Sequence, residues 1–239
     1  MPLSIVSEIV ALDDWCLIWL NQFMFRWPLL DGSMAWLLNA DIIKFVPMVL
    51  AVCWLWFEST PTQAFNRQLL VESVLTSIAA LIIARLLALT LPFRDRPFLN
   101  LDLHLSLPLL GQPLRSWSSF PSDHAVMAFA LAASLFRLSP KIGLWAYFHA
   151  AVFICLPRLY FGLHYPSDLI GGGLIGITFV LATSHLQRRI AVTGFLLDVE
   201  RKHPAMFYAI GFLVLSEVGE MFASFRVLTV HIFRAFRNF

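Results

Sequence analysis

The stretch LLVESVLTSIAALIIARLLALTLP, residues 69–92, decides the fold class. It exceeds the ~20 residues an α-helix needs to cross a ~30 Å hydrocarbon core. Outward from it, apolar runs bounded by charged residues or Pro/Gly breaks recur at about 34–57, 123–138, 142–160, 168–187 and 205–225. The whole chain agrees: of 239 residues, 59% are hydrophobic and 13% charged, with a mean hydropathy of +0.76. A soluble domain carries about 25% charged residues. The expectation is an all-α, polytopic membrane bundle of six transmembrane helices, forming one domain over residues 34–225. A net charge of +2 is too small to imply a nucleic-acid partner. Cys16, Cys53 and Cys155 lie far apart in apolar segments, so they read as packing residues, not as a disulfide framework or a thiolate metal site.

Residues 1–33 are rich in Trp and Phe and interrupted by Asp13, Asp14 and Arg26, which reads as interfacial helix rather than a crossing. The tail 226–239 mixes arginines with phenylalanines and also reads as interfacial. Glu8 and the lack of Lys or Arg in the first twelve residues argue against a cleaved signal peptide. With six spans, the loops after the first, third and fifth share one side and hold Arg67, Arg137, Lys141, Arg188, Arg189, Arg201 and Lys202. The positive-inside rule makes that side cytoplasmic. The opposite connections, 93–122 and 160–168, then face outward from a plasma (inner) membrane.

Hydropathy does not explain three polar stretches at those outer ends: Arg94-Asp95-Arg96-Pro97, Pro121-Ser122-Asp123-His124, and Arg158-x5-His164-x3-Asp168. Ser122 stands where it would cap the third span, with Asp123 and His124 in the first turn, so free N–H groups and the positive dipole end favour an anion there. Pro166 fits the first position of the fifth span. Asp168 then falls in its first turn, where it can meet the ring of His164, hold Nδ1–H and leave Nε2 a lone pair for attack. Arg96 and Arg158 add planar cations that match phosphate oxygens. These residue types specify a phosphoryl-transfer pocket. Blander readings apply elsewhere: single arginines near span ends snorkel, His149 reads as a satisfied core histidine, and Asp41 and Lys44 can pair across a helical turn. Glu217 and Glu220 lie at membrane depth with no partner evident in the sequence.

The three stretches resemble the signature of the type 2 phosphatidic acid phosphatase superfamily, integral-membrane lipid phosphatases that share a fold with vanadium haloperoxidases. Arg96-Pro97 matches the end of the first element, Pro121-Ser122-x-His124 the second, and Arg158-x5-His164-x3-Asp168 the third, with Gly162 where the family often has glycine. The resemblance covers about residues 34–187. It implies a haloperoxidase-like core in which His164 takes the phosphoryl group as phosphohistidine, Asp168 orients it, and His124 protonates the leaving oxygen and later activates water. Arg96, Arg158 and Ser122 would bind the phosphate.

Three positions depart from the family pattern. The family lysine falls at Leu89, so Arg85 or Arg94 is expected to replace it; Asp123 replaces a glycine and is expected to point toward an arginine such as Arg94 or Arg115; Pro157 replaces a serine. No metal or other cofactor is implied. The expected partner is a lipid phosphate held in the bilayer, a polyprenyl (undecaprenyl) diphosphate before phosphatidate, phosphatidylglycerol phosphate or diacylglycerol diphosphate. A lipid phosphotransferase would use the same residues. A non-enzymatic transporter or scaffold could keep the arginines without needing the histidines, and a zinc hydrolase built on His124, His164 and Asp168 is the remaining alternative.

Overall fold

The computed structural model describes residues 2–106, 117–187 and 191–222, and among these it is helical throughout, with no strand. The helices are α1 Pro2–Asn21, α2 Pro28–Asn39, α3 Asp41–Lys44, α4 Val46–Phe57, α5 Gln63–Thr90, α6 Asp123–Leu138, α7 Pro140–His149, α8 Leu156–Tyr160, α9 Pro166–Gln187, α10 Ala191–Lys202 and α11 Pro204–Gly219. Several open on proline (Pro28, Pro140, Pro166, Pro204), whose missing N–H has no helical partner in a first turn anyway. Among the described residues three helices are long and apolar enough to cross a membrane: Gln63–Thr90, Pro140–Tyr160 (α7 and α8 read as one) and Pro166–Ser184. Val46–Phe57 and Pro204–Gly219 are shorter apolar helices.

Two features depart from the hydropathy reading. The run 34–57 is not one helix but α2, α3 and α4, broken where Ala40 turns extended (φ −80°, ψ 94°) and again at Phe45, next to a Pro47 that has no N–H to continue the ladder. Residues 191–202, read as loop, form α10. It is amphipathic: Leu197 packs onto the core while Glu200 pairs with Arg67 at 3.0 Å, so a window average cancels. The tail 226–239 and Arg115, Arg188 and Arg189 lie outside the described residues.

α6 is the centre of the bundle, wrapped by α5, α7 and α9, and from Ala125 to Leu135 it is almost wholly buried. Its alanines and the glycines of α9 allow very close approach. A Cβ on Gly176 would lie 2.3 Å from the Val126 carbonyl oxygen, and one on Gly172 would lie 2.8 Å from that of Ser122. Small residues at membrane helix contacts bring backbones together in this way. Here they clamp the first turn of α9, which carries Asp168, onto the start of α6, which carries His124. Between α7 and α8 the helix widens into a π-helical segment, Ala150–Cys155, just before Pro157, whose ring nitrogen offers no hydrogen to the preceding turn. Arg158, just beyond it, is buried.

Candidate active site

Backbone hydrogen bonds dock the three polar stretches. Phe98 N–H donates to the Gly162 carbonyl at 3.0 Å, Ser119 N–H to that of Arg94 at 2.8 Å, and Ser122 N–H to that of Asp168 at 3.3 Å. Gly162 turns the chain out of α8 at a φ of 60°, a left-handed conformation that suits glycine.

His164 is buried in this junction. Its Nδ1 lies 2.9 Å from the Ser119 carbonyl oxygen and 3.7 Å from Asp168 Oδ2. Its Nε2 lies 3.3 Å from Arg96 Nη1. A carbonyl can only accept and a guanidinium can only donate, so Nδ1 carries the hydrogen and Nε2 keeps its lone pair. Burial holds the imidazole down at about 4, opposed by the Asp168 carboxylate and reinforced by Arg96 and Arg158. The ring is therefore neutral at physiological pH. The tautomer is the one the sequence suggested, but its direct acceptor is the Ser119 carbonyl, with Asp168 just behind.

Asp168 is fully buried and saturated with donors. Oδ2 accepts from the Ser119 hydroxyl and from Tyr165 N–H at 2.8 Å, and Oδ1 accepts from Arg94 Nη1 at 2.7 Å. Arg94 also reaches Asp13 of α1, Nη2 to Oδ2 at 2.7 Å, and lies over the Tyr165 ring, 4.0 Å from its centroid.

Arg96, Arg158 and Ser122 are the groups expected to bind an anion. Arg96 is buried and donates through Nη1 to the Leu163 carbonyl at 2.8 Å. Arg158, also buried, donates through Nη1 to the Ile154 carbonyl at 2.6 Å. Ser122 sits at the N-cap position of α6, yet its side chain makes no capping bond. Among the described residues neither Ser122 Oγ nor Arg96 Nε has a hydrogen-bond partner. Buried polar groups left unsatisfied cost ~1–3 kcal/mol each, and here a phosphate oxygen is the acceptor that would satisfy them. Burial lowers the Arg96 pKa, opposed by the carboxylates of Asp123 and Asp168.

His124, in the first turn of α6, borders a cavity of about 270 Å³ walled also by Asn39, Asp41, Lys44, Phe45 and Glu220. Asp41 and Lys44 form the expected pair. His149 is satisfied in the core, its Nε2 2.9 Å from the Lys44 carbonyl oxygen. No three His, Cys, Asp or Glu among the described residues converge as metal ligands.

A model of the PAP2 superfamily matches residues 69–191. The chain belongs to this superfamily. It is 30% identical over 148 residues to the undecaprenyl-diphosphatase BcrC of Bacillus subtilis, covering 62% of this chain and 70% of that protein. It is 29% identical over 148 residues to the putative undecaprenyl-diphosphatase YbjG of Escherichia coli, covering 61% and 68%. The crystal structure of a PAP2 type phosphatidylglycerolphosphate phosphatase from Bacillus subtilis shares the fold, with a TM-score of 0.51 and 20% identity over 77% of this chain and 88% of that one.

Within the PAP2 frame the departures now have structural reasons. Leu89, at the family lysine position, is 75% exposed on the outside of α5. Both proposed substitutes are paired with carboxylates: Arg85 with Asp123 at 2.6 Å, while it lies over Trp117, and Arg94 with Asp13 and Asp168. Asp123 does turn to an arginine, Arg85. The sequence reading missed Ser119, Tyr165 and Asp13. The first two act in part through backbone atoms, which no side-chain motif records. For Asp13 a signal was present: a carboxylate in an apolar membrane helix tends to face the protein interior.

Proposed function

We propose that this PAP2 phosphatase hydrolyses a polyprenyl diphosphate, undecaprenyl diphosphate in the first instance, to the lipid monophosphate and inorganic phosphate through a phosphohistidine on His164. The observation that carries the reading is the fixed tautomer of His164, with the Nε2 lone pair held against a buried arginine. Nε2 attacks the terminal phosphorus and the bond to the bridging oxygen breaks, while His124 supplies a proton to the leaving phosphate. Arg96, Arg158 and Ser122 hold the equatorial oxygens, where charge sits in the transition state. Water then attacks the phosphohistidine, His124 accepts its proton, and phosphate leaves. The cavity beside His124 is large enough for several waters at ~30 Å³ each. Arg85 and Arg94, bound to carboxylates, act on Asp123 and Asp168 rather than on substrate.

The sequence similarity to BcrC and YbjG favours the diphosphate among lipid phosphates. Phosphate release by purified protein from undecaprenyl diphosphate, phosphatidate and phosphatidylglycerol phosphate, with and without EDTA, tests it. The reading requires fastest release from the diphosphate, unaffected by chelator. Loss of activity in EDTA would favour the zinc alternative.

The sign of the pH dependence follows from His164. The nucleophile must be neutral, and burial keeps it so until the pH falls through about 4. The acid limb of kcat/KM, after allowing for substrate phosphate ionisation near ~6, is therefore expected well below the ~6.5 of an ordinary histidine. A single acid limb at 6.5 after that correction would show His164 protonating as though exposed.

The six-span architecture belongs to the same proposal, with α2 to α4, α5, α6, α7 with α8, α9 and α11 as the crossings and the active site outside the plasma membrane. Cysteines placed at Ser106 and Gln187 of a cysteine-free version should differ in labelling by an impermeant thiol reagent on intact cells, with Ser106→Cys reactive and Gln187→Cys protected. Labelling at Gln187→Cys alone would reverse the orientation.

A further inference from the structure

We propose that Asp13, on α1 and outside the segment matched by the family model, is a positioning residue for phosphoryl transfer: it makes Asp13, Arg94 and Asp168 a chain of net charge −1 behind His164. The proposal rests on the reading of His164 as nucleophile. Asp13 is 2% exposed. It accepts from Arg94 Nη2 at 2.7 Å, from Ser167 N–H at 2.9 Å and from the Ser167 hydroxyl. The other arm of Arg94 reaches Asp168 Oδ1 at 2.7 Å and Ser167 Oγ at 2.8 Å. Asp168 turns its second oxygen toward His164 Nδ1, 3.7 Å away. Arg94 is thus a cation shared between two buried carboxylates.

The sharing has an electrostatic consequence. When Nε2 bonds to phosphorus, the His164 ring keeps its Nδ1 hydrogen and becomes cationic. A carboxylate behind the ring stabilises that charge. Arg94 paired with Asp168 alone would cancel it, since interactions at 3–4 Å in a poorly solvated site are strong in both signs. Asp13 restores one negative charge to the set. It also occupies the Nη2 arm of Arg94, which would otherwise be free to turn toward the substrate phosphate. The N-terminal helix, read from sequence as interfacial, thereby contributes to the chemistry.

The test measures phosphoenzyme formation on undecaprenyl diphosphate by rapid quench, with steady-state kcat and KM, for the unaltered chain, Asp13→Asn, Asp13→Glu, Arg94→Gln and the Asp13→Asn/Arg94→Gln double variant. Asp13→Asn should slow phosphoenzyme formation ~10- to 100-fold, the range found for outer-shell partners of metal-ligating histidines, without raising KM. Asp13→Glu should recover part of the rate. The double variant, whose set again carries one negative charge, should lose less than the product of the two single losses. Wild-type phosphoenzyme formation in Asp13→Asn, or losses that simply multiply, would overturn the proposal. So would a loss in Asp13→Asn that disappears when rates are expressed per folded protein. If the unaltered chain itself forms no phosphohistidine, the nucleophile reading fails and the proposal falls with it.

Discussion

Replacing His164 by Ala should slow phosphate release from undecaprenyl diphosphate by at least ~10²-fold, the lower range for removing a group that takes part directly in the chemical step. The Nε2 lone pair is fixed by two contacts, the Ser119 carbonyl on Nδ1 and Arg96 on Nε2. Asp168→Asn should lose a comparable amount, because it removes the negative charge behind the ring and turns an amide toward donors that Asp168 now satisfies. Arg158→Ala should reduce turnover similarly through lost transition-state charge stabilisation. His149→Ala should leave turnover nearly intact, since its ring nitrogen serves the Lys44 carbonyl rather than the pocket. Near-normal activity of His164→Ala would eliminate the covalent mechanism.

The second large effect depends on the substrate. As general acid, His124 matters only as far as the leaving group needs a proton. A lipid diphosphate expels a phosphate monoester whose second pKa is ~6, whereas a lipid monophosphate expels an alkoxide with a pKa comparable to the ~16 of water. His124→Ala should therefore retain measurable phosphoenzyme formation from undecaprenyl diphosphate while losing hydrolysis of phosphatidate almost completely. Dephosphorylation should then limit turnover, because the residue that activates water is gone. Equal loss of phosphoenzyme formation with both substrates would show His124 binding the phosphate itself, and the leaving-group argument would fail.

How much of this was legible before the structure differs from residue to residue, for physical reasons. The catalytic candidates were readable because each motif is local: a helix start or a tight turn places Ser122 with His124, and His164 with Asp168, within four residues of one another. The all-helical, membrane character was readable for a similar reason, since an apolar run of sufficient length has few alternatives in a bilayer. The break at Ala40 and Phe45 was not, because hydropathy counts side chains and ignores a backbone ladder interrupted beside Pro47. α10 was averaged away by its own two-sidedness. The fate of Arg85 and Arg94 could not be read at all. Their partners Asp123, Asp13 and Asp168 come from other segments of the chain, Asp13 and Arg94 lying 81 positions apart. Whether an arginine serves a phosphate or a carboxylate depends on tertiary placement alone. Asp13 was half readable: its charge in an apolar helix was visible, its destination was not.

The most direct test of the central claim is to trap the enzyme during turnover. Undecaprenyl diphosphate labelled in its terminal phosphate is mixed with the purified protein, quenched in alkali within milliseconds, digested and mapped. The account predicts acid-labile, alkali-stable label on the peptide containing His164, formed and discharged at rates that account for turnover, and absent from His164→Ala. Continued release of phosphate with no label on His164, or label on another residue, would contradict it.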